Sequence, residues 1–500
     1  MSANSAVGAT TDVAAAGVVS PAAARDLPVA QVLNPADTSA VVGHYVLSDA
    51  ATVDAVVAHA ETAGRAWGAL SGTERGSWLT AAAKAVSAHE AERSTLLTRE
   101  QGKVLWESEV DVHSAARALR QNAELAAHLD VESVVRDGRG TTIMRRIPMG
   151  LTAVIVPWNY PVYLTLAGVA PALAAGNAVI VKPSEFAPLA ITRTLELIAA
   201  ALPEGVLSVV PGDGAVAGQA LVSHPLVRKV IFTGGTSTGR SIVKTAANTL
   251  KSVSLELGGN DPAIVLDSAQ LDDRTIRELR RSVFTCTGQI CINVKRIYVH
   301  RSRHREFVDK FSAAVDEIVV GDGLGPATTM GPLNNAKQLA SVRELAEQTR
   351  SHADVRVLGR KNDPSSWDRG YFMLPSVVTG IAPGAPLVTR EQFGPIIPIL
   401  PFDTEDEAIS QANDSEFGLA ASVWSEDVDH ALALARRVEA GSVFVNTHRM
   451  GSSDQSMPFG GIKQSGLGRN HGMWAIEECT ELQAISHRPD TSGFPGPPTV

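Results

Sequence analysis

The stretch from Leu151 to Leu257 carries a series of short apolar runs: LTAVIV (Leu151–Val156), NAVIV (Asn177–Val181), GVLSVV (Gly205–Val210), VRKVIF (Val227–Phe232) and SVSLEL (Ser252–Leu257). Segments with helical spacing separate them, such as ITRTLELIAAAL (Ile191–Leu202) and GRSIVKTAANTL (Gly239–Leu250). Continuous apolar strands alternating with helices predict a parallel sheet covered on both faces, which takes ligands beyond the carboxyl ends of its strands. A second alternating region runs from about Asn260 to Phe444, with KRIYVH, PIIPIL, LAASVW and GSVFVN as its strands, and predicts a second α/β domain. Upstream, Ala-rich segments between Ala50 and His128 repeat apolar residues at helical spacing.

A chain of 500 residues exceeds one compact core and predicts two or three domains. The formal charge of −9 is scattered along the chain, which argues against nucleic acid or an anionic membrane as partner. Cys286, Cys291 and Cys479 form no disulfide framework and lack the spacing of a zinc site, so a reducing compartment and no metal are expected. No Lys or Arg precedes Arg25, and no apolar run spans a bilayer, so the expectation is a cytoplasmic protein without membrane partners. The first residues, 1–30, and the Gly- and Pro-rich end, 488–500, read as loose extensions.

Glycine-rich segments need weighing. PGDGAVAG (Pro211–Gly218) approaches the dinucleotide fingerprint, but its third glycine is one residue late, and a turn after a strand is the preferred reading. GGTSTGRS (Gly234–Ser241) approaches a phosphate loop, with Arg240 where the triphosphate motif needs Lys. It follows a strand and opens a helix, and the free N–H groups and positive dipole end of a helix suit a pyrophosphate. PFGGIKQSGLGRNHG (Pro458–Gly472) by itself indicates a tight loop.

Three residues invite chemistry. Cys291 sits in FTCTGQICINVKR, where Gly288 permits a tight turn and polar neighbours suit an exposed thiol; the alternative is a buried filler. Glu256 stands at the carboxyl end of a predicted strand, before Gly258 and Gly259, as a site carboxylate or as a salt-bridged strand end. Asn159 lies between Pro157 and Pro161 in VPWNYP, as a site amide or as a turn residue.

Taken in order, VPWNYP, VKPSE, FTGGTSTG, LELGGN, GQIC, EQFGP and PFGGIKQSGLGR resemble the aldehyde dehydrogenase superfamily, of the NAD(P)-dependent, non-acylating type, from about Val32 to Ser486. The resemblance implies a Rossmann-type cofactor domain (31–129 and 149–257) and a second α/β catalytic domain (258–453). It also implies a small β flap (130–148 and 470–487) that joins subunits into a homodimer or homotetramer. It assigns Cys291 as nucleophile, Glu256 as general base and Asn159 as oxyanion-hole amide. Lys182 and Glu185 would hold the adenosine ribose, Glu391 and Phe393 the nicotinamide side, and Trp158, Gly234 and Gly239 the pyrophosphate region. The implied reaction oxidises an aldehyde to its acid through a thioester. The cofactor would be NAD, since Glu185 accepts ribose hydroxyls and repels a 2′-phosphate, while Lys182 leaves NADP open.

By position, Tyr160, Tyr163, Leu164, Thr285, Ile290, Ile292, Arg449 and Met450 would line the tunnel for a small-molecule aldehyde. Most are apolar, which favours a hydrophobic aldehyde, and Arg449 leaves room for an acidic one. Gly168 and Asn470 stand where the pattern commonly has Lys and Glu, so the proton path is expected through water and backbone. Cys286 reads as a small buried thiol; a disulfide with Cys291 is the sharper alternative. The rival functions are a CoA-acylating relative, which generally lacks the glutamate of LELGG, and a non-catalytic NAD-binding protein.

Overall fold

The computed structural model describes residues 27–137, 140–448 and 455–487. Arg449, Met450, the tail 488–500 and all but the end of the N-terminal extension lie outside the described residues.

The apolar runs after Leu151 form the first sheet. Its order is Gly466–Leu467, Ser252–Glu256, Lys229–Thr233, Thr152–Ile155, Val179–Lys182 and Leu207–Val209. All neighbours are parallel except the short Gly466–Leu467 strand, which runs antiparallel to Ser252–Glu256. Side chains alternate between two buried faces: Val154, Val179 and Val181 enter one core cluster, Ala153, Ile180 and Val230 the other. The chain winds outward from Thr152–Ile155 in one direction and then returns to its other side with Lys229–Thr233. The order therefore reverses between these two strands, and a crevice opens beyond their carboxyl ends. The residues that follow them are Val156 to Tyr160 and Gly234 to Gly235.

The Ala-rich region folds into helices Ala50–Gly68, Gly72–Ala88, Glu90–Gln101 and Leu105–Ala126. Their starts carry local signals: Asp49 accepts from the Thr52 N–H, and Ser71 and Glu74 form a reciprocal capping box. Asp130 adds a carboxylate at the second helix, accepting from the Thr73 N–H at 3.0 Å. The fully buried Trp67 joins this layer to helix Pro161–Ala174, its indole N–H donating to the Leu173 carbonyl at 2.9 Å.

The second region builds a seven-stranded sheet. Its order is Asp354–Val357, Ser376–Thr379, Ile396–Phe402, Val294–His300, Asp261–Val265, Ala420–Trp424 and Ser442–Val445. Only the Asp354–Val357 pairing is antiparallel. The chain passes from the first sheet to the second in four residues, from Glu256 to Asp261. That short link sets the carboxyl ends of the first sheet against the amino ends of the second.

A third, antiparallel sheet joins Ser133–Asp137, Gly140–Pro148 and Thr480–His487. It leaves Val134, Val135, Met144, Leu482 and Ile485 exposed. Within 470–487, Gly472–Glu477 is instead a helix packed on Leu105–Ala126 and Pro161–Ala174. Among the described residues no helix is long and apolar enough to cross a membrane.

Candidate active site

Cys291 lies in the loop between helix Asp273–Phe284 and strand Val294–His300. The loop is held in an uncommon conformation. Cys286, Thr287 and Gly288 have φ of 52°, 58° and 76°. A non-glycine residue in this region costs on the order of 1–3 kcal/mol, so the surroundings must enforce it. They do so through several buried bonds. The Cys286 N–H donates to Glu107 Oε1 at 2.7 Å, and Lys295 Nζ donates to the Gly288 carbonyl at 2.8 Å. The Thr287 hydroxyl donates to the Gly331 carbonyl at 2.9 Å, and Gln289 Nε2 to the Cys286 carbonyl at 3.0 Å. Any side chain at Gly288 would run into the backbone of Gly394. On the far side of the thiol, buried His448 braces the Ile292 carbonyl through Nε2 at 2.9 Å.

The loop sets Cys291 half-buried, not exposed as its polar neighbours suggested, because Tyr160, Ile292, Leu419 and Ala420 pack around it. Burial and the nearby Glu391 and Glu256 push its thiol well above the ordinary thiol range, while Lys295 pulls the other way. Cys286 is a buried thiol whose sulfur faces Gln101 and the Asn159 carbonyl.

Two cavities meet at Cys291. One, of about 340 Å3, is bounded by Trp158 and Asn159, by Gly234 and Gly235, and by Glu391 and Phe393. The other, of about 110 Å3, is bounded by Tyr163, Leu164, Glu256, Ile292, Phe459 and Asn470. Leu164, Thr233 and Cys291 belong to both.

On the larger side, helix Thr236–Ala246 begins at Gly235 with no side chain capping its first N–H groups. Gly239 in its first turn packs on Leu257. Phe393 (φ 46°) meets Trp158 edge-on at 5.7 Å and lies 5.2 Å from Lys295 Nζ. Glu391 Oε1 accepts from the Gly259 N–H at 3.3 Å; burial pushes its carboxyl up to about 7, against the pull of Lys295. At the end of the neighbouring strand, Lys182 Nζ donates to Glu185 at 3.3 Å and to the Pro183 carbonyl at 2.8 Å. Burial holds this ammonium below the ordinary lysine range.

Asn159 is 3% exposed, and its Nδ2 donates to the Gln289 carbonyl at 2.8 Å, two residues before the thiol. On the smaller side, Glu256 ends its strand almost fully buried, and its Oε2 has no hydrogen-bond partner among the described residues. Burial pushes its carboxyl up to about 8, and the Arg469 guanidinium only partly offsets this. The sequence alternative, a salt-bridged strand end, does not match a carboxylate oxygen left without a hydrogen bond.

The tunnel expectations divide. Tyr163, Leu164 and Ile292 border the smaller cavity. Tyr160 and Ile290 are placed instead in the buried cluster behind the thiol, and Lys103 Nζ sits 3.5 Å from the centre of the Tyr160 ring. Thr285 is half-buried and bonds back to the Arg281 carbonyl at 2.7 Å. Asn470 borders the cavity, whereas Gly168 packs on Ile231 and Val154. Sequence reasoning missed Glu107, Lys295, His471 and the exposed face of helix Leu105–Ala126. For Lys295 a signal existed: a charged pair opens an otherwise apolar strand.

The aldehyde dehydrogenase family profile matches residues 23–485. A geranial dehydrogenase from Castellaniella defragrans is 40% identical over 91% of this chain and 94% of its own length. Among solved structures, an aldehyde dehydrogenase from Brucella melitensis superposes with a TM-score of 0.86 at 35% identity, covering 92% of this chain and 94% of that one. A betaine aldehyde dehydrogenase from Staphylococcus aureus in complex with NAD+ does so with a TM-score of 0.88 at 28% identity, covering 94% of each chain.

Proposed function

The chain belongs to the aldehyde dehydrogenase family and is an NAD(P)-dependent enzyme of it, and from that premise we propose that it oxidises an apolar aldehyde to the carboxylic acid through a thioester on Cys291. The observation that carries this reading is the thiol at the junction of two unlike cavities, with a buried carboxylate on the smaller one whose Oε2 has no hydrogen-bond partner among the described residues.

The larger cavity suits a dinucleotide. An uncapped helix start favours a pyrophosphate, and Lys182 with Glu185 suits ribose hydroxyls. Trp158, Phe393 and Glu391 would flank the nicotinamide end, with Gly234 and Gly239 at the pyrophosphate. When bound, NAD+ supplies the hydride acceptor, and NADP+ is the second candidate because Lys182 softens the exclusion by Glu185.

The Cys291 thiol gives up its proton through water in the cavity to bulk solvent, and the resulting thiolate attacks the aldehyde carbon. The second amide hydrogen of Asn159 and the backbone N–H of Cys291 hold the developing oxyanion. Loss of hydride leaves a thioester on Cys291. Glu256, as carboxylate, takes a proton from water; the resulting hydroxide displaces the sulfur and releases the acid. A carboxyl held near neutrality is matched to that task. The presence of Glu256 favours hydrolysis over transfer to CoA.

The exposed apolar side chains of the three-stranded sheet support pairing with a second copy, as a homodimer or homotetramer. A thiol that must stay reduced supports a cytoplasmic site. The test is NADH formation with geranial and a panel of aliphatic, aromatic, amino and carboxylated aldehydes, with acid and acyl-CoA products assayed. NADH and free acid are expected from wild type and neither from Cys291→Ala; undiminished turnover in that variant would refute the assignment.

A further inference from the structure

We propose that the substrate channel does not end at the Tyr163–His471 pair but passes round it into a second chamber along helix Leu105–Ala126, so that this chain prefers aldehydes with a long, extended body. The inference rests on the aldehyde-oxidation reading above.

A cavity of about 180 Å3 adjoins the smaller site cavity, and the two share Tyr163, Ala167, Gln455 and His471. Their common wall is one stripe of the long helix. Val110, Ser114 and Arg117 border the first chamber, and Ala118, Gln121 and Leu125 the second. Three- and four-residue steps keep these positions on one face. At 1.5 Å per residue, the run from Arg117 to Leu125 extends the channel by about 12 Å.

The divider is fixed and the opening is small-chained. Tyr163 Oη and His471 Nε2 are 2.8 Å apart, and the His471 ring stacks on Phe459 with centroids 5.4 Å apart. Burial pushes the imidazole down to about 4, so the divider is uncharged at neutral pH. Beside it, the other side chain that helix Pro161–Ala174 presents to both chambers is the half-buried methyl of Ala167. The next residue, Gly168, lets that helix seat directly on Ile231 and Val154, which keeps Ala167 withdrawn from the channel. Near the thiol the wall offers Leu164, Ile292 and Phe459, with Arg117 on the helix side, whereas Gln121, Asn122 and exposed Glu124 lie at the far chamber. This grading fits an apolar chain that runs outward from the reacting carbon.

The test is kcat/KM of the full-length enzyme with NAD+ for straight-chain aldehydes from butanal to dodecanal. The wild type is expected to gain about threefold per methylene once the chain passes the divider. Gln121→Trp, a half-exposed site in the second chamber alone, should cut the dodecanal value about tenfold and leave butanal within about twofold. Gln121→Ala, which widens the same chamber, should keep or raise the long-chain preference. A flat wild-type series, or equal losses for butanal and dodecanal in Gln121→Trp, would overturn the inference while leaving aldehyde oxidation intact. No NADH at any chain length would overturn the oxidation reading and the chamber with it.

Discussion

The first sheet turns the carboxyl ends of its strands toward the site, whereas the second turns its amino ends. The loops after Thr152–Ile155 and Lys229–Thr233 deliver Trp158, Asn159 and a helix start at Gly235. The residues before Val294–His300 and Ile396–Phe402 deliver Cys291, Glu391 and Phe393. The contrast is physical. Carboxyl ends of parallel strands lead into helix N-termini, with free N–H groups suited to anions. Amino ends are reached from helix C-termini, and helix Asp273–Phe284 points its carbonyl end at the cysteine loop. That end cannot cradle a phosphate. It can carry a stiff loop, and buried bonds to Glu107, Lys295 and Gly331 keep it stiff.

The contrast can be broken from either side. If the first sheet supplies the oxyanion donor, Asn159→Ala should raise the barrier by about 3 kcal/mol, roughly a hundredfold in kcat, with little change in cofactor binding. A kcat within a factor of a few of wild type would remove the first sheet from the chemistry. If the second sheet's loop depends on distant clamps, Glu107→Ala should destabilise the fold by about 1–3 kcal/mol, since it strands the buried Cys286 N–H. Urea unfolding reads this directly, and an unchanged midpoint would show that the loop holds itself.

The link between the sheets has its own signature. The Glu256 carboxyl, pushed up to about 8, is protonated below that pH and ionised above it. Only the carboxylate accepts a proton from water. Single-turnover thioester hydrolysis should therefore climb about tenfold per pH unit at lower pH and level off above about 8. Glu256→Gln should leave a slow, flat profile, and wild-type-like hydrolysis in that variant would exclude the base. The smallest effect concerns packing. A Cβ on Gly168 would meet Ile231 and Val154 at 3.1 and 3.2 Å, so Gly168→Ala should cost about 1 kcal/mol in thermal unfolding. A more stable variant would mean that the helix can lift from the sheet without loss.

The two regions were also unequally legible in the sequence. Continuous apolar runs gave away both sheets, and the strand-end position of Glu256 followed from local pattern alone. The cysteine loop was harder. Gly288 announced a tight turn, but nothing local marked Cys286 and Thr287, themselves neither glycine nor asparagine, for positive φ, because the cause lies in Glu107 and Gly331, far away in sequence. Tyr160 was expected to face substrate, but a buried ammonium, Lys103, claims its ring. His471 was passed over inside a glycine-rich loop, since nothing local pairs it with Tyr163. The helical stripe through Val110, Ser114 and Arg117 is mixed in polarity and reads as ordinary surface until the tertiary fold sets it over the thiol.

The most direct test is to mix Glu256→Gln with an aldehyde and NAD+, quench early, and weigh the peptides. A burst of about one NADH per subunit, with the acyl mass on the Cys291 peptide, is the expected result. Burst-free, wild-type turnover, or an acyl group on Cys286, would contradict the account.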